Sequence, residues 1–259
     1  MDAIYRVEGD RALTSAYAGG PWDPSLQHGS APSSLVVWAA ERVAAKQPMR
    51  VARLTIDLLR PVPIAPLTIR TELLREGRKI QVLGIHLATD DGVEVVRASV
   101  LKMRREPLCL PDSAAELPLD MAEPDLGQDP VALLRAQNPF LTGVSMRVVK
   151  GSFLTPGPAA VWFRADRPIV EGAPISPLMR AAIAADFCNG TSSVLDFRRW
   201  TFINGDLTIS LTRPPVGEWI LLDAETWLGP EGGGIAFARL GDSQGYFGRA
   251  IQSVIVEPR

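Results

Sequence analysis

The chain of 259 residues contains one spaced pattern twice. Each copy has an Arg-Pro pair, a Glu twelve residues after that Arg, and an Arg-Ala pair 36 or 37 residues after it. The positions are Arg60-Pro61, Glu72 and Arg97-Ala98, then Arg213-Pro214, Glu225 and Arg249-Ala250. Upstream, Pro32 lies nine residues before Glu41, and Pro177 nine before Asp186. These matches predict a duplicated module of roughly 110 residues, and two copies are too few for a solenoid, which needs about three.

Both copies predict the same order of elements. The first predicts short strands within 3–18, a helix over 31–46 and strands at 51–60, 65–76, 79–90 and 93–104. The second predicts strands at 141–153 and 159–166, a helix over 177–188, and strands at 199–213, 218–229, 234–242 and 246–257. Residues 106–139, rich in Pro and acidic residues, predict a surface linker. We therefore expect an N-terminal domain over 1–105, this linker, and a C-terminal domain over 140–259.

The predicted helix 31–46 is apolar on nearly its whole circumference, which indicates a buried helix. A long antiparallel sheet with one buried helix per module favours an α+β fold in which each sheet curls around its helix. This is the hotdog arrangement, and two copies make a double hotdog. Joining the two sheets edge to edge would remove one exposed edge from each.

Composition excludes several classes of function. A formal net charge of −2 gives no electrostatic basis for binding nucleic acid. No apolar run approaches the roughly 18 residues that span a bilayer, and the N-terminus lacks the pattern of a signal peptide. Cys109 and Cys188 have no neighbouring Cys or His cluster, which argues against a metal site. We expect a cytoplasmic protein without a metal or cofactor.

The two copies differ in polarity at three aligned positions. The second copy has Asp186, Asn204 and Gln252, where the first has Glu41, Val51 and Val100. Buried polar side chains are unfavourable unless they are hydrogen-bonded. Two interpretations remain open from spacing alone: these residues form a functional site in the second copy, or they cap a helix end and satisfy one another.

Four short motifs carry a family resemblance. They are His28-Gly29-Ser30 before the first helix, Ala185-Asp186-Phe187 on the second, the run from Thr212 to Trp219, and Ala250-Ile251-Gln252 in the last strand. Residues 20–104 and 176–257 resemble the acyl-CoA thioesterases of the bacterial thioesterase II type, which have the double hotdog fold. In that family an Asp, a Thr or Ser and a Gln bind and activate the attacking water.

The resemblance implies that Asp186, Asn204 and Gln252 are catalytic. Asn204 departs from the family by lacking a hydroxyl, and Thr208, expected on the same face of the same strand, could replace it. Ser30 departs too, since the family usually has Gly there. The implied reaction is hydrolysis of an acyl-CoA or another acyl thioester without a covalent intermediate, with Asp186 as the base.

Substrate binding is assigned to His28, Gly29, Ser30 and Thr208, with amides of Gly29 and Ser30 as candidate oxyanion donors. A loop histidine bonded to backbone is the other interpretation of His28. The resemblance also implies a role in fatty acid metabolism and a homodimer. Two other functions stay open: a non-catalytic acyl-binding or structural protein, and a hydratase or dehydratase, which is disfavoured because no His is expected near Asp186.

Overall fold

A computed structural model describes residues 2–111, 118–130, 138–153 and 155–259. The first module contains β1 (Tyr5–Glu8), β2 (Arg11–Thr14), α1 (Ser30–Arg42), β3 (Met49–Leu58), β4 (Leu67–Glu76), β5 (Ile80–Thr89) and β6 (Glu94–Arg104). The second contains β7 (Val144–Ser152), β8 (Thr155–Ala165), α2 (Pro177–Asp186), α3 (Cys188–Thr191), β9 (Trp200–Asn204), β10 (Asp206–Leu211), β11 (Ile220–Leu228), β12 (Gly233–Asp242) and β13 (Gly245–Pro258). The predicted order of elements is confirmed in both modules.

These thirteen strands form one antiparallel sheet. Its order is β1-β2-β4-β5-β6-β3 in the first module and β10-β13-β12-β11-β8-β7 in the second, with β9 paired to β13. The modules join where β3 pairs with β10, with Thr55 opposite Thr208. The expected edge-to-edge junction is therefore confirmed.

The sheet encloses α1 and α2, which pack against each other. α1 also contacts β4, β5 and β6, while α2 contacts β8 and β10 to β13. Every residue of α1 from Ser30 to Val37 is buried, as the apolar circumference predicted. This is the α+β double hotdog expected from the sequence.

Two predicted elements are interrupted. The predicted helix 177–188 breaks after Asp186, because Phe187 has φ −81° and ψ 5° and a second short helix starts at Cys188. The predicted strand 199–213 divides at Gly205 into β9 and β10. Both breaks lie next to the carboxylate of Asp186, and both affect the site described below.

The predicted linker is described in part. Residues 112–117 and 131–137 lie outside the described residues. Residues 118–122 lie against the second module, where Asp120 accepts hydrogen bonds from Arg239 and Tyr246, and Trp162 Nε1 donates to the carbonyl of Ala122. No helix in the described part of the chain is both long and apolar enough to cross a membrane.

Candidate active site

The end of α2 meets the start of α1, and the carboxylate of Asp186 lies at this junction. Its side chain is only 3% exposed. A Cβ placed on Gly29 would lie 2.6 Å from Asp186 Oδ1 and 2.9 Å from Oδ2. Only glycine therefore permits this close approach. The N-terminal end of α1 therefore lies directly against the carboxylate.

Three side chains from different segments contact this carboxylate. Ser30 Oγ donates to Asp186 Oδ2 at 3.0 Å, and Asn204 Nδ2 donates to Oδ1 at 3.2 Å. His28 Nδ1 lies 3.1 Å from Oδ2. Four of the predicted site residues, together with Gly29, are thus brought together around one buried acid.

The position of His28 corrects the expectation that no histidine lies near Asp186. The two residues are 158 positions apart in the chain, and only the packing of α1 against α2 joins them. The imidazole lies between Phe140, stacked at 5.0 Å between ring centroids, and Phe187, tilted at 4.6 Å. Its backbone N–H donates to the carbonyl of Ala18, and the backbone N–H of Ser30 lies at its Nδ1, as expected for a loop histidine bonded to backbone. A role of His28 in substrate binding stays a prediction.

Nδ1 of His28 lies within hydrogen-bonding distance of two groups, but it cannot bond both at the same time. The Ser30 backbone N–H lies 3.1 Å from Nδ1 and would donate to it, whereas a hydrogen bond to Asp186 needs a hydrogen on the same nitrogen. A ring nitrogen carries either a lone pair or a hydrogen. The two contacts therefore belong to different protonation or tautomeric states of His28.

Gln252 lies beside Asp186 but bonds its backbone. Its Nε2 donates to the carbonyl of Asp186 at 3.1 Å, and its Oε1 accepts from the backbone N–H of Asn189 at 3.1 Å. The side chain is fully buried. Gln252 thus replaces the intrahelical bonds lost at the break between α2 and α3, which is the helix-capping interpretation left open by the sequence.

Thr208 lies on the opposite face of the sheet from Asp186, which corrects the expectation that it could replace the missing hydroxyl. Its neighbours Leu207 and Ile209 are buried in the core, while Thr208 Oγ1 contacts Thr55 Oγ1 at 3.4 Å. It lines an outer groove of about 360 Å³ together with Trp227. The strand break at Gly205 shifts the alternation by one residue, so Asn204 and Thr208 do not share a face.

The two amides considered as oxyanion donors differ in availability. The Ser30 N–H is directed at His28 Nδ1. Within the described part of the chain, the Gly29 N–H has no hydrogen-bond partner. Gly29 therefore offers an unpaired donor at the start of α1.

Cys188 follows directly after the break and is completely buried. Burial, helped by the negative charge of Asp186, raises the pKa of its thiol far above the usual range. The thiol stays protonated, so Cys188 is not a nucleophile in this site. A cavity of about 10 Å³, lined by residues that include Asn189, Phe202 and Val254, lies nearby and has room for about one water.

The described part of the first module does not repeat this arrangement. The counterpart of Asp186, Glu41, is more exposed and is hydrogen-bonded with Ser176, and the counterparts of Asn204 and Gln252 are the buried Val51 and Val100. Sequence reasoning found the asymmetry from these aligned positions. It missed the roles of Phe140 and Asn189, which have no motif and are brought to the site only by the fold.

Two family models match the chain. One is described as the acyl-CoA thioesterase N-terminal domain and matches residues 18–103, and the other as the acyl-CoA thioesterase C-terminal domain and matches residues 111–256. No curated protein matches the chain in sequence.

Solved structures share the fold at low sequence identity. A protein of unknown function with a hotdog fold from Alicyclobacillus acidocaldarius has a TM-score of 0.77 and 17% identity, over 99% of this chain and 97% of that one. An acyl-CoA thioesterase II from Mycobacterium marinum has a TM-score of 0.70 and 14% identity, over 98% and 95%. A dehydratase domain from Mycobacterium tuberculosis, in complex with C12:1-CoA, has a TM-score of 0.51 and 16% identity, over 90% and 85%.

Proposed function

The chain belongs to the acyl-CoA thioesterase family, and we propose that it hydrolyses acyl-CoA or another acyl thioester by direct attack of water. One observation carries this proposal: the buried Asp186 carboxylate receives donors from Ser30, Asn204 and the His28 segment at the junction of the modules. A buried acid surrounded by oriented polar groups is typical of an active site.

In the proposed reaction Asp186 removes a proton from a water molecule as that water attacks the thioester carbonyl. Asn204 holds Oδ1 of the acid in place, which leaves the carboxylate in one orientation. The free Gly29 N–H stabilises the oxyanion that develops on the carbonyl oxygen. The C–S bond then breaks, and the thiolate takes the proton from Asp186.

Gln252 has a supporting part in this scheme. Its amide joins the carbonyl of Asp186 to the N–H of Asn189 across the helix break. It therefore positions the backbone that carries the base. Gln252 therefore stays in the proposed site as a positioning residue that acts through Asp186.

The decisive variant is Asp186→Asn, which keeps the shape of the side chain but cannot take up a proton. We expect kcat for acyl-CoA hydrolysis to fall by about 100-fold or more, the usual effect of losing a general base. Glu41→Gln is the matched control, because Glu41 occupies the equivalent position in the first module and is exposed. Near-normal turnover by folded Asp186→Asn protein would eliminate the proposed base.

One observation favours a second function, hydration or dehydration of an enoyl or hydroxyacyl thioester. The contact of 3.1 Å between His28 Nδ1 and Asp186 Oδ2 provides two groups that exchange protons. Hydration removes the conjugated double bond and leaves the thioester intact, whereas hydrolysis releases a thiol. Loss of enoyl absorbance without thiol release would support this function over hydrolysis.

A non-catalytic acyl-binding protein is the remaining alternative. Graded acyl-CoAs separate it from an enzyme, because it would bind them at equilibrium and release no thiol. Measurable binding with no thiol release at any chain length, and no change in enoyl absorbance, would replace the enzymatic proposal.

We also propose that the chain forms a homodimer in a cytoplasmic setting. Support comes from the outer face of the second module, where Trp227, Ile251 and Ile255 are exposed apolar side chains. A chain of 28.0 kDa that sediments as a monomer at micromolar concentration would contradict the dimer. Trp227→Lys should weaken association if this face is the interface.

A further inference from the structure

We propose that Ser30 is a positioning residue that accommodates the proton on Asp186 during the reaction. The inference rests on the proposed function of Asp186 as a base. Ser30 Oγ lies 3.0 Å from Asp186 Oδ2 and 3.1 Å from the carbonyl oxygen of Ile183. Ser30 is fully buried, so its hydroxyl reaches these protein groups and not the solvent.

A hydroxyl can donate one hydrogen bond and accept others at the same time. While Asp186 is ionised, the Ser30 hydroxyl donates to Oδ2. Once Asp186 has taken a proton from water, Oδ2–H donates to Ser30 Oγ, and the Ser30 hydrogen rotates to the carbonyl of Ile183. Each of these bonds uses a distance already present in the structure.

The other groups at the carboxylate cannot do this. Asn204 approaches Oδ1 with its Nδ2, which only donates, so a proton on Oδ1 would face another hydrogen. His28 Nδ1 has one lone pair or one hydrogen, and the Ser30 backbone N–H also points at that atom. The proton is therefore accommodated at Oδ2, on the side of Ser30.

This arrangement also relates two departures from the family pattern to each other. The strand position that usually carries a hydroxyl has Asn204, and the position that usually carries Gly, at the start of α1, has Ser30. In space both residues bond the same carboxylate, Ser30 at Oδ2 and Asn204 at Oδ1. The hydroxyl is supplied by the first module instead of by β9.

The test compares Ser30→Ala with Ser34→Ala. Ser34 is a matched control because it is equally buried on α1, but its hydroxyl bonds the carbonyls of Ser30 and Ala31 and does not reach Asp186. We expect Ser30→Ala to lower kcat for acyl-CoA hydrolysis by roughly 10–100-fold, because the proton on Oδ2 loses its buried acceptor and the carboxylate loses a contact that orients it. KM should change less than about twofold, because a fully buried hydroxyl does not contact substrate.

The pH profile separates this role from simple packing. A hydrogen bond to the ionised acid is stronger than one to the neutral acid, so its loss should move the acidic limb of kcat/KM upward by about 0.5–1 pH unit. The other titratable groups that face Asp186 are His28, before α1, and Cys188, on α3. Neither is changed in Ser30→Ala or Ser34→Ala, so a limb that moves only in Ser30→Ala is assigned to the hydroxyl.

A second readout does not depend on activity. The carboxyl carbon of Asp186 is followed by NMR in protein labelled with 13C-aspartate, with Asp186→Asn identifying the signal. We expect its titration midpoint to rise in Ser30→Ala and to stay unchanged in Ser34→Ala. If the wild-type protein hydrolyses no thioester, the proposed function fails, and this titration still decides the role of Ser30.

Two results would overturn the inference about Ser30. One is folded Ser30→Ala protein with wild-type kcat and an unmoved acidic limb. The other is an equal loss of kcat in both serine variants with unmoved titration of Asp186, which would assign the effect to packing of α1.

Discussion

Replacing Gly29 with alanine tests the closest contact in the site. Gly29 has φ −56° and ψ −28°, a helical conformation that alanine adopts without strain. At such a position Gly→Ala usually stabilises a protein by about 0.4–1 kcal/mol, because the unfolded chain loses freedom. Stabilisation would therefore be expected if nothing lay in front of the new methyl group.

The structure instead predicts that Gly29→Ala destabilises the protein. The methyl carbon would lie 2.6 Å from Asp186 Oδ1 and 2.9 Å from Oδ2, while ordinary contact begins at 3.4 Å. To restore a contact of 3.4 Å, the carboxylate or the start of α1 must move by as much as 0.8 Å. Overpacking of a buried site costs about 1–3 kcal/mol, which exceeds the gain from the unfolded state.

The same displacement affects catalysis more than stability. A misplacement of about 1 Å in a catalytic group can lower the rate by about 100-fold. We expect Gly29→Ala to lower kcat by roughly 10–100-fold and the Tm by about 2–6 °C, on the scale of a protein of this size. Most of the effect on activity should come from displacement of Asp186, the proposed base, relative to Asn204.

The assay follows thiol release from acyl-CoA with Ellman's reagent. Cys109 is exposed and adds a fixed background that is subtracted. Gly190→Ala is the matched control, since it lies in α3 with open space where its methyl group would be. Wild-type kcat together with an unchanged or raised Tm in Gly29→Ala would refute the packing of α1 on Asp186.

Three further predictions follow from where the structure places individual residues. Thr208→Val should leave kcat within about twofold of wild type, because Thr208 lies on the outer face; a large loss in that assay would return it to the site. Gln252→Ala should lower the free energy of unfolding by about 1–3 kcal/mol in urea titrations, because two buried backbone groups lose their partner; an unchanged midpoint would contradict this. Ellman's reagent should modify one thiol per folded chain, Cys109, because Cys188 is buried with a raised pKa; rapid modification of both would show an open site.

Much of the fold could be predicted from repeated spacing. The Arg-Pro and Arg-Ala pairs align the strands of the two modules, and the apolar circumference of α1 predicts its burial. These signals are local or periodic, so they can be recognised in the sequence without knowledge of the tertiary contacts. Edge-to-edge joining of the two sheets followed from the need to cover sheet edges, but the strands that form the junction, β3 and β10, were identified only by the structure.

The two breaks could not be predicted in the same way. The helix divides at Phe187 because Gln252, 65 residues later, supplies the hydrogen bonds that the helix would have made. The strand divides at Gly205, whose N–H bonds Ser253 and whose carbonyl bonds Leu58. The helix and strand propensities of a local segment do not indicate such distant partners. The wrong prediction that Thr208 shares a face with Asn204 follows from assuming an unbroken strand.

The contact between His28 and Asp186 could have been predicted from the pseudo-symmetry of the two modules, but not from the spacing of the residues in the sequence. The duplication pairs the small-residue helices of the two modules, and antiparallel packing of two such helices places the start of each beside the end of the other. His28 precedes α1 and Asp186 ends α2, so they meet at one such junction. Treating the helices as a pair, instead of as two separate motifs, would have brought the histidine to the acid.

The second junction of the helices explains why duplication produced one candidate site and not two. There, Glu41 lies near the end of α1 and is more exposed than Asp186. Partial burial raises the pKa of its carboxyl, and a hydrogen bond with Ser176 and the charge of Lys102 oppose that rise. Asp186 is buried, and an unpaired carboxylate in that position would be strongly destabilising. Ser30 and Asn204 donate hydrogen bonds to its oxygens, and the N-terminal end of α1 lies beside it. These donors hold Asp186 in one orientation, whereas the aligned positions of the first module carry Val51 and Val100, which have no polar side-chain group to offer Glu41. The two equivalent carboxylates thus differ in how far the fold removes them from water and in which side chains bond them, and this difference is why we place the proposed site at Asp186.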